Sequence, residues 1–253
     1  MRRASTCLAV LGLAVLGTQS VASATPTVTF KETAIPIPGF PHTGNILGAG
    51  AAGQLEWTIK GTEYDNGHPP PLIGVNVIEP SGTKLHTAGF TTCSPTALEK
   101  IGPKACPAKS KLSFFGEANG VVVFGTEPVP EKVSVTGFFA PGNALQFFTQ
   151  GTSPAAFEFI SAAHIVNGSA PETFATIPLV ETVPGAADAS AESIKLKVGA
   201  AYKQGKKTVY FATVPTKCPK GGFPVKSELL FAGLGGLAPQ TVTTLYKAPC
   251  PRK

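Results

Sequence analysis

The chain has 253 residues, a formal net charge of +6, 28 glycines, 24 prolines, five cysteines and a single tryptophan, a size that suits one substantial all-β core. Asp65 and Asp188 are its only aspartates, which leaves no Asp-rich calcium loop. Beyond Arg2 and Arg3 the only arginine is Arg252, so the positive balance rests on lysine, and a dedicated nucleic-acid site built on guanidinium forks is disfavoured.

The first residues predict export. Arg2 and Arg3 supply a positive start, Cys7 to Gly17 is an unbroken apolar and small run, and Ala22-Ser23-Ala24 is a small-x-small cleavage site. Residues 1–24 therefore read as a signal peptide, with the mature chain beginning near Thr25. The run is shorter than the ~20 residues a bilayer span needs. Cys7 precedes the apolar core and so is misplaced for a lipid anchor, and Ala4-Ser5-Thr6 does not continue a twin-arginine signal. No later run approaches spanning length, so no membrane span is expected after cleavage, and the protein is expected to be secreted, extracellular or held at the cell wall. Residues 25–253 are expected to form one domain, with a division into two lobes near 119 as the alternative.

Strands dominate the mature chain. Thr27 to Phe30 opens it, followed by a proline-rich passage from Ile35 to Pro41 and a glycine-rich one from Gly44 to Gly53. Leu55, Trp57 and Ile59 alternate with Glu56, Thr58 and Lys60, the period-2 pattern of a strand with one wet face, which points Trp57 inward. Leu72 to Ile78 is a more uniformly apolar strand, with Pro80-Ser81-Gly82 as the turn after it.

One short helix breaks the series. Ser94 is placed to cap it, Pro95 suits its first position, Leu98 and Ile101 share a face, and Gly102-Pro103 stops it with a left-handed cap. Two turns are marginal in water, and a Cys93–Cys106 bridge would clamp them. A closed loop of ~15 residues gains about 3 kcal/mol in the chain-entropy account.

Further on, Leu112 to Phe115 and Val121 to Phe124 are expected to pair as a hairpin through Glu117 to Gly120. Val133 to Thr136, Leu145 to Thr149, Phe157 to Ile160, Ile194 to Val198, Thr208 to Val214, Val225 to Phe231 and Thr241 to Tyr246 complete the set. About a dozen strands with one disulfide-bracketed helix predict an all-β β-sandwich, an immunoglobulin-like architecture being one option. The glycines and prolines punctuate apolar strands without forming tracts, which argues against disorder. Cys93, Cys106, Cys218 and Cys250 remain after cleavage, an even number that outside the cytoplasm argues for two disulfides. Four cysteines allow three connectivities, of which local pairing, Cys93 with Cys106 and Cys218 with Cys250, is the simplest.

Several segments carry a resemblance. They are Phe40-Pro41-His42-Thr43-Gly44-Asn45, Gly61-Thr62-Glu63-Tyr64, Pro69 to Asn76, the Cys93 to Ser110 stretch, and Val214 to Phe223 with its Cys218-Pro219-Lys220-Gly221-Gly222-Phe223 ending. Together they resemble a family of uncharacterised exported proteins abundant in soil actinobacteria. The resemblance implies a secreted, disulfide-bonded β-protein and carries over no catalytic residue.

Chemistry is sparse in the sequence. No Gly-x-Ser-x-Gly, His-Glu-x-x-His or phosphate-cradling glycine loop occurs. The densest constellation is Glu63-Tyr64-Asp65-Asn66-Gly67-His68, in which Glu63, Asp65 and His68 are the candidate binding residues. A solvated turn explains them as well, because Asp-Asn-Gly favours left-handed backbone and Pro69-Pro70-Pro71 stiffens the exit. No catalytic residue, metal ligand or cofactor is assigned, and His42, His86 and His164 are scattered singly. Lys203, Lys206 and Lys207 surround Gly205 as a hairpin tip. Such lysines offer point charges to anionic cell-wall polymers.

Three function classes follow: an exported structural or interaction protein without catalysis, a carbohydrate or wall-polymer binding module, and a secreted hydrolase. The first needs only the sandwich and its loops. The second needs aromatic platforms, for which Tyr64, Tyr202, Tyr210 and Tyr246 are the candidates. Mass spectrometry of protein recovered outside the cell is expected to give a chain starting near Thr25 with its four cysteines oxidised; retained leader residues or four alkylatable thiols would contradict this reading.

Overall fold

The computed structural model describes residues 25–44, 46–61, 67–124, 127–153, 155–179, 189–233 and 238–251, with backbone only at 123 and 124. The expected signal peptide, residues 1–24, lies outside them.

The first half contains β1 (Thr27–Ile35), β2 (Gly50–Lys60), β3 (Leu72–Ile78), β4 (Lys84–Leu85), the helix α1 (Pro95–Ile101), β5 (Ser113–Phe124) and β6 (Glu127–Ala140). The second half adds β7 (Ala144–Gly151), β8 (Phe157–Val166), β9 (Glu172–Thr176), β10 (Ser190–Val198), β11 (Ala201–Gln204), β12 (Lys207–Tyr210), β13 (Ala212–Thr213), β14 (Phe223–Phe231) and β15 (Gln240–Ala248).

Thirteen of these strands belong to one antiparallel sheet in the order β15-β14-β3-β9-β8-β7-β6-β5-β10-β2-β13-β4, with β1 also paired to β2. The sandwich is therefore a single sheet folded over on itself. Trp57 of β2 donates its indole N–H to Ser227 Oγ of β14 at 2.8 Å, across the interior between the two layers. Where β1 comes back against β15, side chains make the closure. Thr244 Oγ1 donates to the Val28 carbonyl at 3.3 Å, and the Phe30 and Tyr246 rings meet edge to face at 6.3 Å.

Two filled cores stabilise the roll. The larger gathers Phe30, Trp57, Ile59, Val225, Leu229 and Phe231 between the β1-β2 layer and the β3-β14 layer. The smaller gathers Leu112, Phe139, Leu145, Ala163, Ile165 and Phe211 at one end of β6 to β8. Phe90 stacks on Phe139 there, with ring centroids 4.4 Å apart, and Tyr202 of the separate β11-β12 hairpin meets Phe90 edge-on.

Both disulfides pair locally: Cys93 with Cys106 and Cys218 with Cys250, with Cα atoms 5.0 and 5.9 Å apart. α1 lies on the outer face of the sheet, where Leu98 is fully buried against Phe138 and Phe148. Ile101, expected to share that contact, is 68 % exposed. Residues three apart on a helix are rotated by about 60°, and the contact with the sheet is only one side chain wide. Ser94 occupies the cap position, but its hydroxyl makes no capping bond. Gly102 has the expected positive φ of 83°, with ψ at −169° instead of the left-handed helical value.

The expected hairpin between Leu112 and Phe124 is a single strand, β5, paired along its length with β6 on one side and β10 on the other. Gly116 and Gly120 are not turn residues. A Cβ on Gly120 would fall on the carbonyl oxygen of Ser190, and one on Gly116 on that of Val135. Neighbouring backbone occupies the space that any larger residue needs. Gly120→Val is accordingly expected to lower unfolding free energy by about 3 kcal/mol or more in a urea titration, whereas Asn119→Ala, at an exposed position of the same strand, should change it by less than about 0.5 kcal/mol. Two small effects would restore the turn reading.

Candidate functional site

Of the residues singled out by sequence, Glu63 and Asp65, with Tyr64 between them, lie outside the described residues. His68 is described, and its Nδ1 sits 2.7 Å from Glu192 Oε1, a half-buried pair that ties the segment before β3 to β10. Tyr202, Tyr210 and Tyr246 pack against Phe90, Gly50 and Phe30 respectively and share no platform. Among the described residues no group of three or more His, Cys, Asp or Glu side chains is placed to hold a metal ion.

The structure brings forward a feature that the sequence reading missed. Between the two filled cores the rolled sheet leaves a partly open cavity of about 300 Å³, at the lower end of the ~300–1,000 Å³ span of ligand sites. Its wall is mostly apolar and comes from almost every strand of the roll. Trp57, Val77, Val135, Phe147, Phe159 and Leu196 contribute from six different strands.

Three carboxylates interrupt that apolar wall: Glu32, Glu79 and Glu131. Each continues the inward-facing positions of its own segment. Glu32 follows Val28 and Phe30 at two-residue spacing on β1, Glu79 follows Val75 and Val77 at the end of β3, and Glu131 precedes Val133 and Val135 on β6. Strand parity, and no local motif, delivers them to the interior. Among the described residues no lysine, arginine or histidine lines the cavity.

Burial pushes the Glu79 carboxyl up to about 7. Burial, and then the neighbouring charge of Glu79, push Glu32 well above the ordinary carboxylate value. Both side chains keep some accessible surface and both line the cavity; the protein packed around them is what disfavours the charged forms. Glu32 Oε2 is fully buried and has no hydrogen-bond partner. On the wet faces the opposite holds. Glu56 is held low by its hydrogen bond to Lys195, 3.1 Å away on the adjacent strand, and Glu228 by Lys226 at 2.9 Å and then by Asn76.

Glu131 belongs to a different part of the wall. Following the ladder from Glu32 through Leu55, Leu196 and Gly116 reaches Val135, four residues or about 13 Å of strand from Glu131. Glu131 is 5 % exposed. Its Oε2 accepts the Ala155 backbone N–H at 3.0 Å, and its Oε1 has no partner. The site thus combines a partly open apolar volume with two carboxylates, Glu32 and Glu131, that each have an oxygen short of a donor, an arrangement that can hold and orient a small molecule.

Comparison of the chain with family profiles, with curated proteins and with solved structures returns no match.

The raised Glu32 and Glu79 give a signed expectation for stability. The folded chain binds protons there that the unfolded chain releases above the ordinary value of 4.5, so stability is highest below that value and falls as pH rises through about 7. Melting temperatures measured across this window should decline for the native protein and flatten in the Glu32→Gln, Glu79→Gln double variant. A native curve rising over the same window would contradict the assignment.

Proposed function

We propose that the protein is a non-catalytic binding protein of the cell exterior whose rolled sheet houses a small, mostly apolar molecule. The unfilled volume inside the roll carries this reading. A sheet folded over on itself can fill its interior with its own side chains, as the two cores here do, yet a space of about 300 Å³ is left between them. Apolar walls with a few convergent polar groups are the usual composition of small-molecule sites.

Export is supported by the leader pattern of residues 1–24 and by the resemblance to exported actinobacterial proteins. The two disulfides accord with an oxidising compartment, and among the described residues no helix is long and apolar enough to cross a membrane. The carbohydrate alternative draws no support from the described tyrosines, which are spent on packing.

Titrating the exported, oxidised protein with the uncharged apolar fluorophore prodan is expected to give saturable one-to-one binding with a blue-shifted emission. Val135→Trp, which fills the cavity from β6, should abolish that binding while cooperative melting is retained. Undiminished binding by a folded Val135→Trp variant would place the probe elsewhere and remove the reading.

A further inference from the structure

We infer that one end of the roll is a docking surface for a linear polymer bearing phosphate along its length, gripped by two lysine clusters that the fold brings together. The surface uses none of the cavity's lining residues and goes beyond the container reading.

The clusters are far apart in sequence. Lys100, Lys104, Lys109 and Lys111 lie in and just after the loop closed by the Cys93–Cys106 bridge, and Lys203, Lys206 and Lys207 lie on the β11-β12 hairpin. Both ends of the clamped segment meet the base of that hairpin. Cys93 donates its backbone N–H to the Phe139 carbonyl at 2.8 Å, Phe139 stacks on Phe90, and Phe90 meets Tyr202 of β11 with ring centroids 4.9 Å apart. After Lys111, the Leu112 carbonyl accepts the Gly199 N–H at 2.9 Å, just before β11 begins. The hairpin then leads outward, for a Cβ on Gly205 at its tip would meet nothing within 4 Å.

Charge at this end is concentrated and unspent. All seven lysines are exposed, and among the described residues none of them forms an ion pair. Lys203 donates only to the Thr208 hydroxyl, at 2.9 Å. Lysines on the outer face of the sheet differ: Lys132, Lys195 and Lys226 each lie 2.9 to 3.1 Å from a glutamate. Within 93–111 and 199–210 the only acid is Glu99, so these two stretches carry as much net positive charge as the whole chain, +6. Like charges gathered without counter-charges repel one another, a cost that a polyanion offsets.

The chemistry of lysine selects the partner. An ammonium group is a point charge with three donors and no fixed plane, which suits phosphate oxygens facing several directions; the planar fork that matches a carboxylate belongs to arginine. A membrane fits less well. Stable anchoring there takes an apolar insertion beside the basic residues, and in these two stretches Ile101 is the only large hydrophobic side chain left exposed.

The test applies the exported, oxidised protein to immobilised poly(glycerol phosphate) freed of its lipid anchor. Binding is expected at low salt, weakening about a hundredfold or more between about 50 and 200 mM salt as counterions compete. Lys206→Gln, Lys207→Gln and, separately, Lys104→Gln, Lys109→Gln should each weaken it about tenfold and flatten the salt dependence. Lys132→Gln, Lys195→Gln removes the same charge from the outer face and should change neither. Equal weakening by that outer-face variant overturns the surface in favour of net charge alone, and loss confined to one cluster overturns their joint action. Equally tight binding to poly-L-glutamate overturns the phosphate assignment. Tighter binding to phosphatidylcholine vesicles with about 20 % phosphatidylglycerol overturns the polymer in favour of a membrane. No retention at low salt sinks the proposal, and unchanged prodan binding by the lysine variants separates that failure from failure of the cavity.

Discussion

One continuous sheet has to bury a face against itself, and the rest of the architecture follows from that constraint. Thirteen strands joined in one ladder cannot stay flat, because each is twisted relative to the next, so the sheet rolls until β1 stands against β15. The roll is tied across its middle by Trp57 and Ser227, a buried donor and acceptor that satisfy each other. Close strand approach is possible where Gly116 and Gly120 leave room for neighbouring carbonyls. Disulfides act at the periphery. One fixes α1 to the outer face and the other holds the chain end to the segment before β14, limiting the unfolded ensemble by about 3 to 4 kcal/mol each in the chain-entropy account.

A rolled sheet differs from a pair of packed sheets in how its interior fills. Large residues gather where the layers are closest, around Trp57 and Phe231, and again around Phe139 and Phe211. Between those clusters the wall remains apolar without meeting across the gap. The carboxylates raise the cost of that gap. Placing acids in an apolar interior works against folding unless they are protonated, hydrogen-bonded or paired, and the chain uses the first solution at Glu32 and Glu79 and half of the second at Glu131.

Much of the fold was legible in local pattern. Leu72 to Ile78 is read at its exact bounds, Trp57 points inward as alternation requires, and Pro95 with Gly102 frames the helix. Cys93 and Cys106 pair because the short helix between them keeps their ends close. Glycine was the misleading residue. In Glu117 to Gly120 it was read as turn chemistry, whereas Gly120 is glycine because Ser190 stands over it, a partner seventy positions away that no local window contains. Short strands such as β4, β9 and β11 escaped for a related reason, since two to five residues carry too little periodicity to register and exist as strands only because a neighbour pairs with them.

The site divides along the same line. Sequence by itself determined the class of protein: an all-β chain with four cysteines after its leader pattern, poor in arginine and aspartate, because those properties reside in composition and in spacings of a few residues. It even held the inward parity of Glu32, Glu79 and Glu131, each two residues from an apolar inward neighbour. Only the tertiary structure decided which disulfides form and that these parities converge on one cavity. Convergence depends on the order in which strands lie around the roll, and that order is set by long-range pairing, which no stretch of the chain encodes alone.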